Sequence, residues 1–549
     1  MRIPGHWGVW ACAGVLLTAC ADHKLPPPST DIDETFYRDH LRMLASDEFG
    51  GRKPGTPGED KTVGYLVEQF RKLGLKPGNG ENFLQPVPMV EILAGADAQL
   101  SAEGGKGKVA LAYGKDMVIW TKRAQPQAEL RHSELVFVGY GIVAPEFAWN
   151  DYAGLDVHGK TVLVLIDDPG YATKDPMVFK GGTQTQYGRW EYKIEEAERH
   201  GAAGVLLIHD DAAAGYGWNV VRNTWSGAQL DLAAADSGGG HAAVEGWIQM
   251  DAARAVFNSA GLDFPAATAA AALAGFKAIP TGLWADAMLH NSVRRFTSAN
   301  VVALLPGGSR RREYVLYTAH WDHLGRDAAL PGHNIFNGAV DNASGAAGLL
   351  ALAQSFVRTK PVTDRSIVFL ATTGAEPGLL GSAYYAENPV FPLGATAAVI
   401  DLDGLRNRGP TRDLTVFGFG NTDLEESTRA MALLQGREVT PEPNPEQGLY
   451  YRSDCFVFAR SGVPALYAQG GLDDSARGPV RGRALLDDYM QHRYRQPSDQ
   501  YSADLDVRGA IQDLTLYYDV GNRVSRTRRF PRWYPNSEYR VSRDHRTEP

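Results

Sequence analysis

The chain has 549 residues, which is too long for one ordinary domain, so two folded units are expected. Its hydrophobic fraction of 44% is ordinary for a globular protein and allows a large core. The formal net charge of −9 excludes the strongly basic balance that nucleic-acid-binding proteins have, so no nucleic-acid partner is expected.

Residues 1–20 have the pattern of a signal peptide, because a short basic start precedes an apolar run, 9–17, that cannot span a bilayer. The run leads into Leu-Thr-Ala-Cys, ending at Cys20, which resembles the lipobox of bacterial lipoproteins. The resemblance implies lipid attachment at Cys20 and a membrane partner reached through that lipid. Residues 21–35, rich in proline, are predicted to be an extended tether. The expected location is the bacterial cell envelope, in the outer membrane facing the periplasm; the alternative is a plain cleaved signal peptide.

The three cysteines give no disulfide in the folded body. Cys12 lies in the signal peptide and Cys20 in the lipobox, so only Cys455 remains. We interpret Cys455 as a small apolar side chain and not as a nucleophile.

The predicted secondary structure differs between successive parts of the chain. Residues 36–130 begin with two helices around a loop rich in glycine and proline, and 131–285 open with apolar strands. From 286, strands alternate with helices, which predicts an α/β sheet covered by helices on both faces. The arginine-rich tail, 526–549, is predicted to pack back through Trp533 and Tyr539. The predicted helices are 36–45, 59–73, 192–200, 343–358, 424–435 and 511–524, and the main predicted strands are 134–143, 161–166, 204–209, 300–304, 314–317, 367–370 and 397–400.

Five side chains of metal-ligand type belong to the part of the chain where strands and helices alternate. They are His320, Asp322, Asp341, Glu376 and Asp403. Groups that follow the carboxyl ends of strands in an open α/β sheet converge on one crevice. One histidine and four carboxylates would repel each other there unless cations lay among them. The pattern therefore predicts a divalent-metal site of the zinc type.

Four segments, in order, resemble the motifs of the co-catalytic zinc aminopeptidase family, which includes bacterial leucyl aminopeptidases and glutamate carboxypeptidases. They are residues 318–325 (Thr-Ala-His-Trp-Asp-His-Leu-Gly), 337–345, 376–382 and 401–403. The resemblance implies a zinc-exopeptidase-type mixed β-sheet covered by helices on both faces. It also implies a peptidase-like domain, 36–130 with 286–525, and a smaller inserted α/β protease-associated domain, 131–285.

The resemblance also implies a role for each ligand-type residue. His320, Asp341 and Asp403 would bind a first metal ion, and Asp341 would bridge it to a second. Glu376 would bind that second ion. Asp322 would orient the His320 ring from behind, as carboxylates do for metal-bound histidines.

Two positions depart from the family pattern. Ala375 stands where the family has its general-base glutamate, and a methyl group cannot accept a proton. Arg495 stands where the family has its last histidine ligand, and a guanidinium cannot ligate a cation. The second metal would keep only Asp341 and Glu376, too few for zinc. We therefore expect at most one divalent ion, zinc or another, and an ion pair between Arg495 and Glu376.

Other polar residues near these motifs have weaker assignments. His492 is a possible substitute ligand, although a surface histidine is the simpler interpretation. His323 is predicted to face a loop, from strand alternation after Asp322. Asp401 is the nearest candidate for a replacement base, because alternation puts it on the face of Asp403.

Two functions remain open from the sequence. The first is a zinc-dependent aminopeptidase, a metallo-exopeptidase acting on the N-termini of peptides. The second is a catalytically impaired pseudo-peptidase that binds peptides or acts as a scaffold in the cell envelope. Whether the chain is an enzyme is left undecided by Ala375 and Arg495, and a peptide partner is expected in either case.

Overall fold

The computed structural model describes residues 32–234 and 236–540. The predicted signal peptide, Cys20 and most of the tether lie outside the described residues, as does the end of the arginine-rich tail. Within the described part of the chain, no helix has both the length and the apolar character needed to cross a membrane.

The strands are named in chain order. They are β1 (Lys76–Pro77), β2 (Leu84–Ala94), β3 (Gln99–Gly104), β4 (Gly107–Leu111), β5 (Met117–Trp120), β6 (Gln127–Phe137), β7 (Val143–Ala144), β8 (Trp149–Asn150), β9 (Thr161–Leu165), β10 (Gly204–His209), β11 (Gln229–Leu232), β12 (Val244–Gln249), β13 (Ile279–Leu305), β14 (Arg310–His320), β15 (Gly325–Arg326), β16 (Ile335–Phe336), β17 (Arg365–Thr372), β18 (Thr396–Asp401), β19 (Asp413–Phe417), β20 (Glu438–Pro441) and β21 (Ala465–Gly470).

The α-helices are named in the same way. They are α1 (Glu34–Leu44), α2 (Pro57–Lys72), α3 (Pro169–Thr173), α4 (Trp190–Arg199), α5 (Asp211–Ala214), α6 (Trp218–Trp225), α7 (Met250–Ala260), α8 (Phe264–Ala271), α9 (Ser344–Arg358), α10 (Leu380–Glu387), α11 (Leu424–Leu434), α12 (Asp454–Arg460), α13 (Gly478–His492) and α14 (Arg508–Arg526).

The main sheet has the order β11-β2-β13-β17-β14-β18-β21-β19-β20. Its centre, β17-β14-β18-β21, is parallel, and antiparallel strands flank that centre. Helices α1, α2, α9 and α14 pack on one face, and α10 and α12 pack on the other. The predicted α/β fold, a mixed sheet with helices on both faces, is confirmed.

A second sheet has the order β4-β3-β13-β6-β9-β10-β12-β5. The 27-residue strand β13 belongs to both sheets, because its first half pairs with β3 and β6 and its second half with β2 and β17. The predicted boundary at residue 130 falls inside β6, and the strands within residues 99–120 pair in this second sheet. Sequence reasoning placed these residues in the peptidase-like unit, because short strands carry no mark of the sheet they join.

The helices that cover the main sheet follow local sequence rules. Helix α1 begins where the Asp33 side chain accepts a hydrogen bond from the Phe36 N–H at 3.0 Å, which is a typical N-cap. Helix α2 begins with Thr56 as N-cap and Pro57 in the first turn. Helix α9 is buried over most of its surface, as its run of alanine, glycine and leucine requires. It packs between α1 and the sheet, directly behind the predicted metal ligands.

The tail packs as predicted over the residues the structure describes. Trp533 and Tyr539 are 7% and 3% exposed and join the core on the α12 face. The Trp533 indole N–H donates to the carbonyl of Gly462 at 3.0 Å.

Candidate metal centre and cavity

Three parallel strands bring the predicted ligands to one edge of the main sheet. His320 is the last residue of β14, and β17 and β18 lie on either side of that strand. Glu376 and Asp403 follow β17 and β18 by a few residues, and Asp341 lies just before α9. The convergence expected from the carboxyl ends of the strands is therefore present.

One group of three side chains has the spacing of metal ligands. His320 Nε2 lies 3.4 Å from Asp341 Oδ1 and 3.5 Å from Asp403 Oδ1. Ligand atoms about 2.1 Å from a tetrahedral zinc ion lie about 3.4 Å from one another. The imidazole and two carboxylates also suit zinc chemically, so His320, Asp341 and Asp403 fit a divalent ion of this kind.

The same contacts shift the pKa values of His320 and Asp341. Burial lowers the pKa of His320, but the carboxylates of Asp322, Asp341 and Asp403 outweigh it and raise that pKa well above its usual value. Burial alone would raise the pKa of Asp341, yet the contact with His320 and the nearby charges of His323 and Arg495 hold it below its usual value. A histidine binds a metal ion only through an unprotonated ring nitrogen, so metal binding here competes with protonation of His320.

Asp322 supports the metal group through its backbone as well as its side chain. His320 Nδ1 lies 3.1 Å from the Asp322 carbonyl oxygen and 3.7 Å from its carboxylate. The carboxylate accepts the backbone N–H groups of Ala375 at 3.0 Å and Glu376 at 3.4 Å. Asp322 thus connects the end of β14 to the turn that carries Ala375, where the sequence departs from the family pattern.

Arg495 lies beside Glu376, as the sequence predicts. Its Nη2 lies 2.5 Å from Glu376 Oε2, so the ion pair is confirmed. Arg495 Nη1 also donates to Thr224 Oγ1 at 3.5 Å, which links the site to the 131–285 block. The second carboxylate oxygen, Glu376 Oε1, contacts His323 Nδ1.

The prediction for His323 is wrong. It is buried, 1% exposed, and faces the site, because β14 ends at His320 and strand alternation no longer applies three residues later. Gly338 makes room for the ring, since a Cβ there would lie 2.6 Å from His323 Cδ2.

His323 adds a third possible ligand at the second metal position. His323, Asp341 and Glu376 offer three donor atoms within 4.8 Å of one another, one more residue than sequence reasoning found. Both oxygens of Glu376 are nevertheless engaged, one by His323 and one by Arg495. The expected limit of one ion stays a prediction.

Two buried residues that sequence reasoning did not assign hold the ligand loops in place. Asp499 Oδ2 accepts the backbone N–H groups of Val340 at 3.0 Å and Asp341 at 3.2 Å. Arg52 is fully buried and donates to four backbone carbonyls around the end of β14. Neither lies in one of the four segments that resemble the family, so no signal for them was found in the sequence.

The remaining candidates lie away from the metal group. The His492 side chain is 60% exposed and lies 3.1 Å from Asp488, as expected of a surface histidine. Cys455 is fully buried, and burial raises the pKa of its thiol, which agrees with an apolar role. Asp401 is 1% exposed and accepts the Cys455 N–H at 3.1 Å. It does not line the cavity, so nothing in the geometry supports it as a base.

A cavity of about 700 Å³ opens over this centre. The candidate ligands and Ala375 form its floor, and its walls come from residues 403–408 and 474–508 together with a few other side chains. Eight arginines contribute to the lining: Arg406, Arg408, Arg452, Arg477, Arg481, Arg493, Arg495 and Arg508. Such a concave, half-polar space suits a small ligand or the end of a peptide.

Comparison with known proteins agrees with this geometry. Residues 300–519 match peptidase family M28. A probable zinc metalloprotease of Pyrenophora tritici-repentis (strain Pt-1C-BFP) is 30% identical over 231 residues, 40% of this chain and 52% of that protein. A probable zinc metalloprotease of Pyrenophora teres f. teres (strain 0-1) is 37% identical over 107 residues, 20% of this chain and 22% of that protein. The chain thus spans about half of the first relative and about a fifth of the second.

The solved structure of an aminopeptidase from Aneurinibacillus sp. strain AM-1 has a similar fold. Its TM-score is 0.52 at 18% sequence identity, covering 92% of this chain and 95% of that one. At this identity the likeness concerns the fold, and any shared activity is a separate question.

Proposed function

We propose that this chain, whose residues 300–519 match peptidase family M28, is a metal-dependent peptide-binding protein built on a zinc-exopeptidase fold. Hydrolysis is impaired in it by the loss of the general base. The observation that carries the proposal is Ala375, which lines the cavity beside the metal group and presents only a methyl group there. We further propose that it acts in the bacterial cell envelope, anchored by lipid at Cys20.

The three carboxylates of the metal centre that line the cavity beside Ala375 are poor substitutes for the lost base. Asp341 and Asp403 both face His320 at ligand spacing. Glu376 is held by His323 and Arg495. A base must reach a proton directly or through one water, and each of these groups already has another partner.

The metal group has all three of its expected ligands, which supports the part of the proposal that concerns metal-dependent peptide binding. His320, Asp341 and Asp403 would hold one divalent ion. When bound, such an ion polarises a carbonyl oxygen and acidifies its water. The second candidate function, a slow exopeptidase, is favoured by this same completeness, because the metal supplies part of the rate without a base.

Binding without turnover is the expected result for the wild type. Short peptides should bind the zinc-loaded protein, measured by calorimetry, at least about tenfold more tightly than the chelated protein, a difference of about 1.4 kcal/mol. Mass spectrometry should recover the peptide intact after prolonged incubation. Rapid cleavage, or binding that is indifferent to zinc, would contradict the proposal.

The metal count of an Arg495→His variant is a second expected result. The wild type should retain one zinc ion per chain after dialysis and the variant two, since an imidazole replaces the guanidinium beside Glu376. Elemental analysis gives the count directly. Arg495→Lys is the control, because it keeps the charge and should retain one ion. Two ions in the wild type would instead mean that His323 completes the second site.

A further inference from the structure

A short segment of the cavity wall carries three unpartnered donors. Arg406, Asn407 and Arg408 follow Asp403 by three to five residues, and all three line the cavity. Arg406 Nη1, Asn407 Nδ2 and Arg408 Nη2 are buried and have no acceptor among the residues that the structure describes. We call Arg406-Asn407-Arg408 the donor segment.

Other atoms of these three side chains form hydrogen bonds, and these bonds hold the unpartnered donors in position. Arg406 Nε donates to Gln469 Oε1 at 2.6 Å, and Arg408 Nη1 donates to the Gly482 carbonyl at 3.4 Å. Asn407 is only 6% exposed, and its Oδ1 accepts from the Tyr37 hydroxyl at 3.1 Å.

Four carboxylates influence the two guanidinium groups: Asp513, Asp413, Glu442 and Asp474. Glu442 and Asp474 form no ion pair with either arginine among the described residues, and the first two are engaged elsewhere. Asp513 forms an ion pair with Arg437 at 2.8 Å. The Asp413 carboxylate accepts the backbone N–H groups of residues 472 and 473, both at 2.9 Å. Neither Arg406 nor Arg408 forms an ion pair with any described residue, although seven carboxylates line the same cavity.

Two neighbouring, largely enclosed guanidinium groups without a counter-ion are costly. Burial and the charge of Arg406 lower the pKa of Arg408 to about 8, and burial lowers that of Arg406. A buried charge is ordinarily paired, because removing it from water is not otherwise compensated. A ligand that brings an anion into the cavity would supply the missing partner.

We propose that the donor segment is a subsite for one carboxylate of the bound peptide, supplied either by an acidic side chain or by the C-terminus. The proposal rests on the proposed peptide-binding function and names its ligand class. Guanidinium and amide N–H groups form strong paired hydrogen bonds to a carboxylate. Eight arginines and seven carboxylates line the cavity, so their charges nearly balance and a singly charged carboxylate is the best match.

Three dipeptides separate the two possible sources of that carboxylate. Ala-Glu amide offers only a side-chain carboxylate, Ala-Ala with a free C-terminus offers only an α-carboxylate, and Ala-Gln amide offers neither. Calorimetry on the zinc-loaded wild type should show about ten- to a hundredfold tighter binding of one of the first two than of Ala-Gln amide. Whichever is preferred identifies the source.

The variants Arg406→Gln and Arg408→Gln should remove that preference, so that the favoured peptide binds no more tightly than Ala-Gln amide, and their zinc content should match that of the wild type. Arg254→Gln is the matched control, since Arg254 lies on the surface of α7 outside the cavity and is 56% exposed. Arg408→Lys keeps the charge without the paired geometry and should retain part of the preference. Thermal shift with each peptide reports folding and binding in the same samples.

The possible outcomes distinguish a failure of the carboxylate subsite from a failure of metal-dependent peptide binding. Equal binding of all three peptides would overturn the carboxylate subsite and leave metal-dependent peptide binding standing. A preference for either carboxylate-bearing peptide that survives both glutamine variants would also overturn it. Binding of none of the peptides would contradict both proposals.

Discussion

Replacing Ala375 by glutamate is expected to raise kcat for an aminoacyl anilide by about a hundred- to ten-thousandfold over the wild type. The Ala375 N–H is fixed by Asp322 at 3.0 Å, so the backbone already has a defined position. The methyl group lines the cavity, and a longer side chain at this position extends into that space beside His320. Steady-state kinetics at saturating zinc measure the gain.

Ala375→Gln is the control for this experiment, because it has the same length and cannot accept a proton. It should hydrolyse no faster than the wild type, and all three proteins should contain the same amount of zinc. Turnover by the wild type that matches the glutamate variant would mean that another group acts as base. It would then favour the exopeptidase over the peptide-binding protein.

The sequence predicted the centre of the fold well, because the central elements are governed by local patterns. Apolar runs before His320, Glu376 and Asp403 became β14, β17 and β18, and the alanine-rich helix after Asp341 became α9. The pairing of strands across long separations was not accessible in the same way. Strand β13, shared by two sheets, shows why, since no local pattern identifies β3 and β6 as the partners of its first half and β2 and β17 as those of its second half.

The candidate site was predicted in part, and the division has a physical reason. Ligands adjoining strands were found, because strand direction determines where such side chains lie. His323 was missed because its orientation depends on a turn and on the space left by Gly338. Asp499 and Arg52 were not assigned because most of their partners are backbone groups far away in sequence, 158 and 159 residues for Asp499 and 269 to 286 residues for three of the four carbonyls at Arg52. Arg495 was found only through resemblance, and its contact with Glu376 then followed from charge.

Arg52→Met is expected to destabilise the protein by about 3–5 kcal/mol, the cost typical of breaking a buried charged network. Arg52 is fully buried and donates to the carbonyls of Trp321, Leu44, Asn337 and Gly338 at 2.9, 2.7, 2.6 and 3.1 Å. Methionine fills similar space but donates nothing, so four inward-facing carbonyls lose their partner. Urea unfolding followed by tryptophan fluorescence measures the loss.

The effect should reach the metal centre as well as the fold. Two of the four carbonyls, Asn337 and Gly338, lie just before Asp341, and Trp321 follows His320 directly. Loosening these loops should weaken zinc binding in the protein that remains folded, measured by competition with a chelator. The exposed control Arg254→Met should change stability by no more than about 0.5 kcal/mol. If Arg52→Met unfolds like the wild type, the ligand loops are held by Asp499 and the sheet instead, and Arg52 only fills space.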